Sequence, residues 1–166
     1  DREDYAKRAE GYFDGKKFYY PSEWEIEGVN ADNRVSDKGT TPKDSLPVET
    51  PDFTKAAGGD VTITWLGHSS SLIQMSGKNI LVDPVFSKRS SPFQWIGPAR
   101  FTEPGITVDD LPEIDAVLIT HDHYDHLDMD TIKALESKTA HYIVPLGIDK
   151  HITRWIDDDS KVTNLA

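Results

Sequence analysis

The sequence predicts a layered α/β domain, and three observations support this. Residues 58–84 hold three short runs that alternate or group apolar residues, the pattern of an antiparallel meander. Residues 116–120 form an apolar run, typical of a strand that is covered on both faces. Beyond it, helical periodicity alternates with further strands. Antiparallel strands followed by alternating strand and helix favour a layered α/β arrangement.

Each element is predicted from its side-chain period and its flanking residues. Strands are expected at 61–66, 71–75 and 80–84, with a turn at 76–79, because apolar and polar residues alternate and Gly77 interrupts the pattern. The later elements are a strand at 116–120, a helix capped by Asp128 or Asp130 and containing Ile132 and Leu135, a strand at 141–144, a helical stretch at 148–156 and a strand from 162.

The first 57 residues differ from the rest of the chain. They are polar and interrupted by glycine and proline, so we expect an N-terminal extension or arm over 1–57, with a short helix over 1–10, and a domain over 58–166. Loops normally lie on surfaces, so the arm is expected to pack across the domain. A lid or an arm exchanged between subunits is the alternative.

Composition excludes several classes of function. The net charge of -11 argues against a broad nucleic-acid interface, which needs clustered Lys and Arg. The chain has no cysteine, so a metal site must use nitrogen and oxygen ligands. No apolar run approaches the roughly 18 residues of a membrane span. The compartment is open between cytoplasm and cell envelope, and a sequence that starts at Asp1 is compatible with a removed signal peptide.

The strongest chemical signal is the run from His121 to His126, which reads HDHYDH. Imidazole and carboxylate are ligands for zinc and other divalent metals. On extended backbone, His121 and His123 point to the same side and can reach one ion. Asp125 and His126 lie where the chain turns and could face a second ion. The alternative is a His-rich surface tract that binds metal incidentally.

This motif and the runs around it resemble the metallo-β-lactamase superfamily, and within it the branch of the N-acylphosphatidylethanolamine-hydrolysing phospholipase D and its bacterial relatives. The runs are 65–70 (WLGHSS), 81–87 (LVDPVFS), 91–92 (SP), 97–101 (GPARF), 111–119 (LPEIDAVLI) and 144–147 (VPLG). The resemblance covers roughly residues 60 to 156. It implies a four-layer αββα sandwich, of which this chain is expected to be the N-terminal half.

The resemblance also implies roles for individual residues. His121 and His123 would bind one zinc ion, and Asp125 and His126 the other, with Asp125 also acting in catalysis by positioning its ion. His68 and Asp83 would support the ligands from beneath, as outer-shell groups do. A satisfied core histidine at His68 and a strand-end cap at Asp83 are the alternatives.

Other ligands of this family lie further downstream than the chain extends. Ala166 follows His126 by forty residues, and His141 and His151 are expected to serve packing or surface roles. The missing half is therefore expected to be cut off or supplied by a second chain. A homo-oligomer is also compatible with the sequence.

The implied function is a zinc-dependent hydrolase, and above all a phosphodiesterase of phospholipase D type in which metal-bound hydroxide attacks a phospholipid-like substrate. A lactonase or other metallo-hydrolase of the same fold and a non-catalytic metal-binding fragment are the alternatives. Segment 87–101 combines cationic and aromatic side chains, which suit a phosphate or a lipid headgroup, so we expect peripheral membrane contact. The alternative is that this segment is a long loop packed on the domain.

Overall fold

The computed structural model describes residues 7, 16, 41–44, 46–54 and 61–165. The chain divides into two compact units, one formed by 1–44 with 166 and the other by 45–165. In the first unit Lys7 is helical, and the rest of the helix predicted over 1–10 lies outside the described residues. The extension predicted over 1–57 and its boundary with the domain therefore stay predictions. The sheet and the candidate site both lie in the second unit.

The second unit is built on a single mixed sheet of six strands whose spatial order follows the chain. The strands are β1 Thr62–Gly67, β2 Ser70–Met75, β3 Lys78–Val82, β4 Ile114–Leu118, β5 Thr139–Pro145 and β6 Val162–Leu165. β1, β2 and β3 pair antiparallel, which confirms the predicted meander, and β3 to β6 pair parallel. Antiparallel strands followed by parallel strands with helical crossovers confirm the α/β class.

The β2–β3 turn is shorter than the predicted 76–79. Only Ser76 and Gly77 lie between the strands, and both have positive φ, at 51° and 71°. A two-residue turn of this hand matches the twist of the flanking strands. Met75 therefore pairs directly with Lys78, and Asn79 pairs with Gln74. The polar character of Lys78 and Asn79 concealed their place in the strand.

Two short α-helices and two 3₁₀ turns connect the parallel strands. α1 spans Met129–Leu135 and continues into a 3₁₀ turn at Glu136–Lys138, and α2 spans Asp149–Ile152. A second 3₁₀ turn at Asp159–Lys161 leads into β6. Among the described residues, none of the helices has the length and apolar character of a bilayer-crossing segment.

One face of the sheet carries the core. Leu72, Leu81, Val117 and Tyr142 are in register across four strands, and all four are fully buried. Ile132 and Leu135 of α1 and Ile152 of α2 belong to the same cluster. The Tyr142 hydroxyl donates to the Ile132 carbonyl at 3.3 Å, so the polar group of this buried side chain has a partner.

The opposite face of the sheet is also apolar but is less covered. Ile63, Ile73, Ile80 and Ala116 are in register across it. Ile63 is 66% exposed and Trp65 on the same strand is 72% exposed. A strand at the centre of this sheet was expected to be covered on both sides, yet Ala116 and Leu118 on this face of β4 are only half-buried.

Candidate metal centre

The candidate site lies at the edge of the sheet where β3 and β4 end. These two strands run parallel, so their carboxyl ends meet there. Asp83 directly follows β3, and the loop with the histidine motif follows β4. His68 and Ser69 connect β1 to β2 at the same edge. The fold therefore gathers residues that are up to 58 positions apart in the chain, from His68 to His126.

Asp83 is the buried anchor of the site. Its side chain accepts a hydrogen bond from the Thr120 backbone N–H at 2.8 Å and from the Thr120 hydroxyl at 2.7 Å. The residue has only 3% of its surface exposed and adopts a positive φ of 42°, which is unusual for a non-glycine residue. Ser70 donates its hydroxyl to the Asp83 carbonyl at 2.8 Å and accepts from the Val85 N–H at 2.9 Å, which holds this backbone in place.

Hydrogen bonds to Asp83 and Thr120 orient two imidazole rings. His126 Nδ1 lies 2.8 Å from Asp83 Oδ2, so this nitrogen carries the proton and donates to the carboxylate. The Thr120 hydroxyl gives its proton to Asp83 and can accept one from His121 Nδ1 at 2.9 Å. In both rings this arrangement leaves Nε2 with a free lone pair, which is the form that binds a metal.

A second pair joins the two loops of the site. His68 Nε2 lies 3.0 Å from Asp125 Oδ2, and His126 Nε2 lies 3.8 Å from the same oxygen. The hydrogen bond from His68 lowers the pKa of Asp125 below its ordinary value, so this carboxyl stays ionised around neutral pH. Ser69 also donates its hydroxyl to the Asp125 carbonyl at 2.7 Å.

The structure brings the predicted ligands Asp125 and His126 together and places His68, predicted as a support, beside them. One ligand atom each from His68, Asp125 and His126 lies within 4.8 Å of the other two, which among the described residues makes them the group able to share an ion. His121 and His123 lie beside this group, with ring centroids 4.6 Å apart, and His121 lies 3.9 Å from the His126 ring. The assignment of His121 and His123 to one ion and of Asp125 and His126 to another stays a prediction.

The start of α1 fixes the far end of the motif loop. The His123 carbonyl accepts from the N–H groups of His126 at 2.9 Å and Leu127 at 2.8 Å, which closes a tight turn. Asp128 then caps the helix by accepting from the Asp130 N–H at 3.2 Å, as one of the two predicted caps. The loop is thus held at both ends, by Thr120 on Asp83 and by this capped turn.

The donor set fits a divalent metal ion. It consists of imidazole nitrogens and an ionised carboxylate, and donors about 2.1 Å from one ion lie roughly 3 to 4 Å from one another. The 3.8 Å separation of His126 Nε2 and Asp125 Oδ2 falls in that range. A buried carboxylate behind a histidine ligand is the usual support of such sites. Asp83 therefore has the position expected of a supporting residue.

An open cleft of about 590 Å³ adjoins these groups. Its lining is formed by His68, Ser90, Pro98 and residues 122–125. Tyr124 is 56% exposed, so it faces solvent rather than packing beneath the loop. Its ring is available to whatever enters the cleft.

Sequence reasoning missed the small hydroxyl residues of the site. Thr120 bonds Asp83, His121 and, at 3.5 Å, His126, yet it had been assigned only to the end of a strand. Ser69 and Ser70 had been noted only as part of a resembling run. The Trp65 indole N–H also donates to the His68 carbonyl at 2.8 Å, where His68 has a positive φ of 49°. The one available signal was position, because Thr120 directly adjoins His121 and Ser69 directly adjoins His68, whereas Ser70 carries no such signal.

Sequence comparison shows which known proteins this chain is similar to. A family model described as a beta-lactamase superfamily domain matches residues 78–164. An uncharacterized protein of Mycobacterium tuberculosis (strain ATCC 25618 / H37Rv) is 38% identical over 125 residues, which cover 75% of this chain and 34% of that protein. The N-acyl-phosphatidylethanolamine-hydrolyzing phospholipase D 1 of Caenorhabditis elegans is 35% identical over 126 residues, covering 75% of this chain and 34% of that protein.

A protein named UPF0173 metal-dependent hydrolase from Caldivirga maquilingensis is 37% identical over 65 residues, covering 39% of this chain and 23% of its own length. The chain spans about a third of the length of the first two relatives, 34% in each case. The family model covers more than half of the chain. The chain belongs to the metallo-β-lactamase superfamily.

Proposed function

We propose that this chain carries the principal metal-binding half of a metal-dependent hydrolase that cleaves a phosphodiester bond in a phospholipid-like substrate. The observation that supports it best is the preorganised contact of His126 with buried Asp83, with Asp125 within reach of the same histidine. The similarity to the phospholipase D of Caenorhabditis elegans supports the phosphodiester as the reacting group. Zinc is the proposed metal because every donor is a histidine nitrogen or a carboxylate oxygen.

When bound, two divalent ions would lower the pKa of a coordinated water and polarise the substrate oxygen. The residues of this chain would hold the ions and orient the groups around them. His121 and His126 would hold the ions through Nε2, because Thr120 and Asp83 hold their other nitrogens. Asp125 would add negative charge there, and the hydrogen bond from His68 holds its carboxylate in place and lowers its pKa. Tyr124 would contact the substrate at the mouth of the cleft.

A non-catalytic metal-binding fragment is the second candidate. The observation that favours it is that the chain spans only 34% of the length of the relatives in which this half occurs. Ligands contributed by the remainder of such proteins would then be required for turnover. A lactone substrate on the same fold is a further alternative, because a metal-activated water also attacks a carbonyl carbon.

Metal content and hydrolysis separate these candidates. We would purify the chain without added metal and measure metal per chain by elemental mass spectrometry after gel filtration. Hydrolysis of bis(p-nitrophenyl) phosphate, N-acylphosphatidylethanolamine and a lactone would then be assayed on the same sample. The matched variants are His126→Gln, in the site, and His141→Gln, an exposed histidine of β5.

The proposal expects bound zinc and phosphodiester cleavage, both lost in His126→Gln and retained in His141→Gln. Metal binding that depends on His126 without hydrolysis of either ester class would favour the fragment. Lactone cleavage without phosphodiester cleavage would replace the proposed substrate class. Equal metal loss in both histidine variants would contradict the site itself.

A further inference from the structure

The segment from Ser87 to Phe101 forms a braced hairpin beside the cleft, and its tip is apolar. We infer that this tip, Phe93 to Ile96, docks the protein onto the interface of a zwitterionic lipid bilayer. This inference goes beyond the proposed hydrolysis, because docking needs neither a metal nor turnover.

The tip exposes large apolar side chains. Phe93 is 56% exposed, Trp95 76% and Ile96 52%. The rings of Phe93 and Trp95 lie 5.8 Å apart and form one aromatic surface. No residue from 90 to 99 is charged, whereas about a quarter of the chain is, 28%. A contiguous uncharged apolar projection of this kind marks a contact surface rather than ordinary solvent-facing loop.

Several polar groups of the hairpin are paired with one another. The Gln94 amide accepts from the Arg89 N–H at 3.0 Å and donates to the Arg89 carbonyl at 3.0 Å and to the Ser91 carbonyl at 3.2 Å. The Ile96 N–H donates to the Phe93 carbonyl at 3.2 Å. Unpaired backbone groups are what keep most loops out of a lipid environment. In this loop the Gln94 amide is bonded inward to the hairpin backbone, while the large apolar side chains are exposed.

The base of the hairpin is fixed to the domain. Lys88 and Arg100 pair through a backbone bond of 3.0 Å, and the Arg100 guanidinium donates to the Ser87 carbonyl at 3.0 Å and the Val85 carbonyl at 2.7 Å. Gly97 has a φ of +104°, and an added Cβ there would lie 2.8 Å from the Ser91 Cβ. The tip is therefore preformed, so little conformational entropy is lost when it meets a surface.

Charge and position favour a lipid interface as the occupant. Tryptophan and other aromatic residues favour the level of the lipid headgroups, where one part of the ring is apolar and another is hydrated. Lys88 and Arg89 directly precede the uncharged run 90–99, and the exposed Lys88 would meet headgroup phosphates. The net charge of -11 disfavours a strongly anionic membrane. Ser90 and Pro98 of the hairpin also line the cleft beside His123, so docking would bring lipid headgroups to that cleft.

The test is cosedimentation of the full chain with sucrose-loaded phosphatidylcholine vesicles, in EDTA and about 0.15 M salt, where charges are screened beyond about 8 Å. The tip variant is Phe93→Ser/Trp95→Ser/Ile96→Ser. Its matched control is Val61→Ser/Ile63→Ser/Leu165→Ser, which removes three apolar side chains of similar exposure (61%, 66% and 57%) elsewhere. Because all six positions are exposed, circular dichroism is expected to show the same fold in each protein.

We expect the chain to bind phosphatidylcholine vesicles, the tip variant to bind at least about tenfold more weakly, and the control to bind within about twofold of the parent, given the apolar transfer energies of such side chains. Brominated lipids should quench tryptophan fluorescence, and Trp95→Phe should remove most of that quenching. Adding phosphatidylglycerol should not strengthen binding.

Three results would overturn the inference. The first is equal loss of vesicle binding in both triple variants, which would mean unspecific adhesion of apolar surface. The second is binding that requires anionic lipid and disappears at high salt. The third is no vesicle binding by the parent chain, including the case in which the tip instead captures a protein partner. Because metal is absent throughout, none of these results bears on the proposed hydrolysis.

Discussion

At the scale of single residues, Asp83 links the sheet to the metal centre. Replacing it with Asn keeps the shape but removes the charge that holds the His126 Nδ1 proton and the Thr120 hydroxyl. We expect Asp83→Asn to weaken zinc binding by about 10- to 100-fold, the usual effect of losing such a support. Loss of a charged, buried acceptor should also cost about 1 to 3 kcal/mol of unfolding free energy.

Isothermal titration with zinc and urea unfolding check this prediction. The control is Asp115→Asn, which makes the same replacement on strand β4, away from the ligands, and should leave zinc affinity unchanged. An unaltered zinc affinity in Asp83→Asn would mean that this carboxylate serves only to cap the end of β3, the alternative considered from the sequence.

The ligand candidates and the supporting roles of His68 and Asp83 could be predicted from the sequence, but the hydrogen bonds that Thr120 makes could not. The spacing of His121, His123, Asp125 and His126 stands out because three of the chain's six histidines lie within this run of six residues. Thr120 carries no such signal, since its partner Asp83 is 37 positions away. The contact between His68 and Asp125 likewise depends on how the β1–β2 turn meets the motif loop. Only the folded sheet brings these positions together.

At the scale of elements, Asp128 connects the first turn of α1 to the base of the hairpin. Its carboxylate accepts from the Ser87 N–H and hydroxyl, each at 2.9 Å, and from the Thr131 hydroxyl at 2.5 Å, in a buried position. We expect Asp128→Ala to lower the unfolding free energy by about 2 to 3 kcal/mol, because it removes a helix cap and leaves buried donors unpaired. Urea unfolding measures this.

Asp158→Ala is the matched control for this prediction. Asp158 caps the short 3₁₀ turn before β6 by accepting from the Ser160 N–H at 3.1 Å, but it is exposed. The loss in Asp158→Ala should be clearly smaller. Equal losses would show that the buried bonds from Asp128 to Ser87 and Thr131 contribute nothing beyond an ordinary cap.

The pairing of β3 with β4 includes a pH-dependent contact. Lys78 Nζ lies 2.6 Å from Asp115 Oδ1, and the Asn79 N–H donates to Oδ2 at 2.9 Å. The hydrogen bond from Lys78 lowers the pKa of Asp115 below its ordinary value. A lowered folded-state pKa means that this contact stabilises the fold above the unfolded pKa of about 3.9 and stops doing so as pH falls through the folded pKa.

We therefore expect Asp115→Asn to be less stable than the parent at pH 7 by about 0.5 to 1 kcal/mol, the scale of an exposed ion pair with one backbone bond. The difference should shrink as the pH falls below about 4. Thermal unfolding across this pH range measures it, with Asp109→Asn, an exposed loop substitution, as the control. A difference that stays constant with pH would contradict an electrostatic origin.

The bounds of the strands were less predictable than which segments form strands. The strand expected at 116–120 extends over Ile114–Leu118, because its pairing with β5 begins where Ile114 meets Thr139. Ile119 still donates to the Ile143 carbonyl at 3.1 Å, whereas the Thr120 N–H turns to Asp83. Apolar character marks what is buried, but hydrogen bonding decides where a strand ends. The two diverge where the chain leaves the sheet for the site.

At the scale of the whole molecule, the second face of the sheet has the largest consequence for behaviour in solution. It is apolar, and Ile63 and Trp65 are largely exposed on it. In a four-layer sandwich such a face packs against a second sheet. We therefore expect the chain to bind an apolar dye such as ANS and to elute in gel filtration above its mass of 18.6 kDa, increasingly so at higher concentration.

A charge placed on this face tests that expectation. Ile63→Lys should weaken self-association by at least about tenfold, or about 1.4 kcal/mol, because an unpaired ammonium cannot be buried in an apolar contact without cost. Thr107→Lys, on an exposed loop, supplies the matched charge and should leave self-association unchanged. A parent chain that stays monomeric at all concentrations and binds no dye would show that this face is covered in solution.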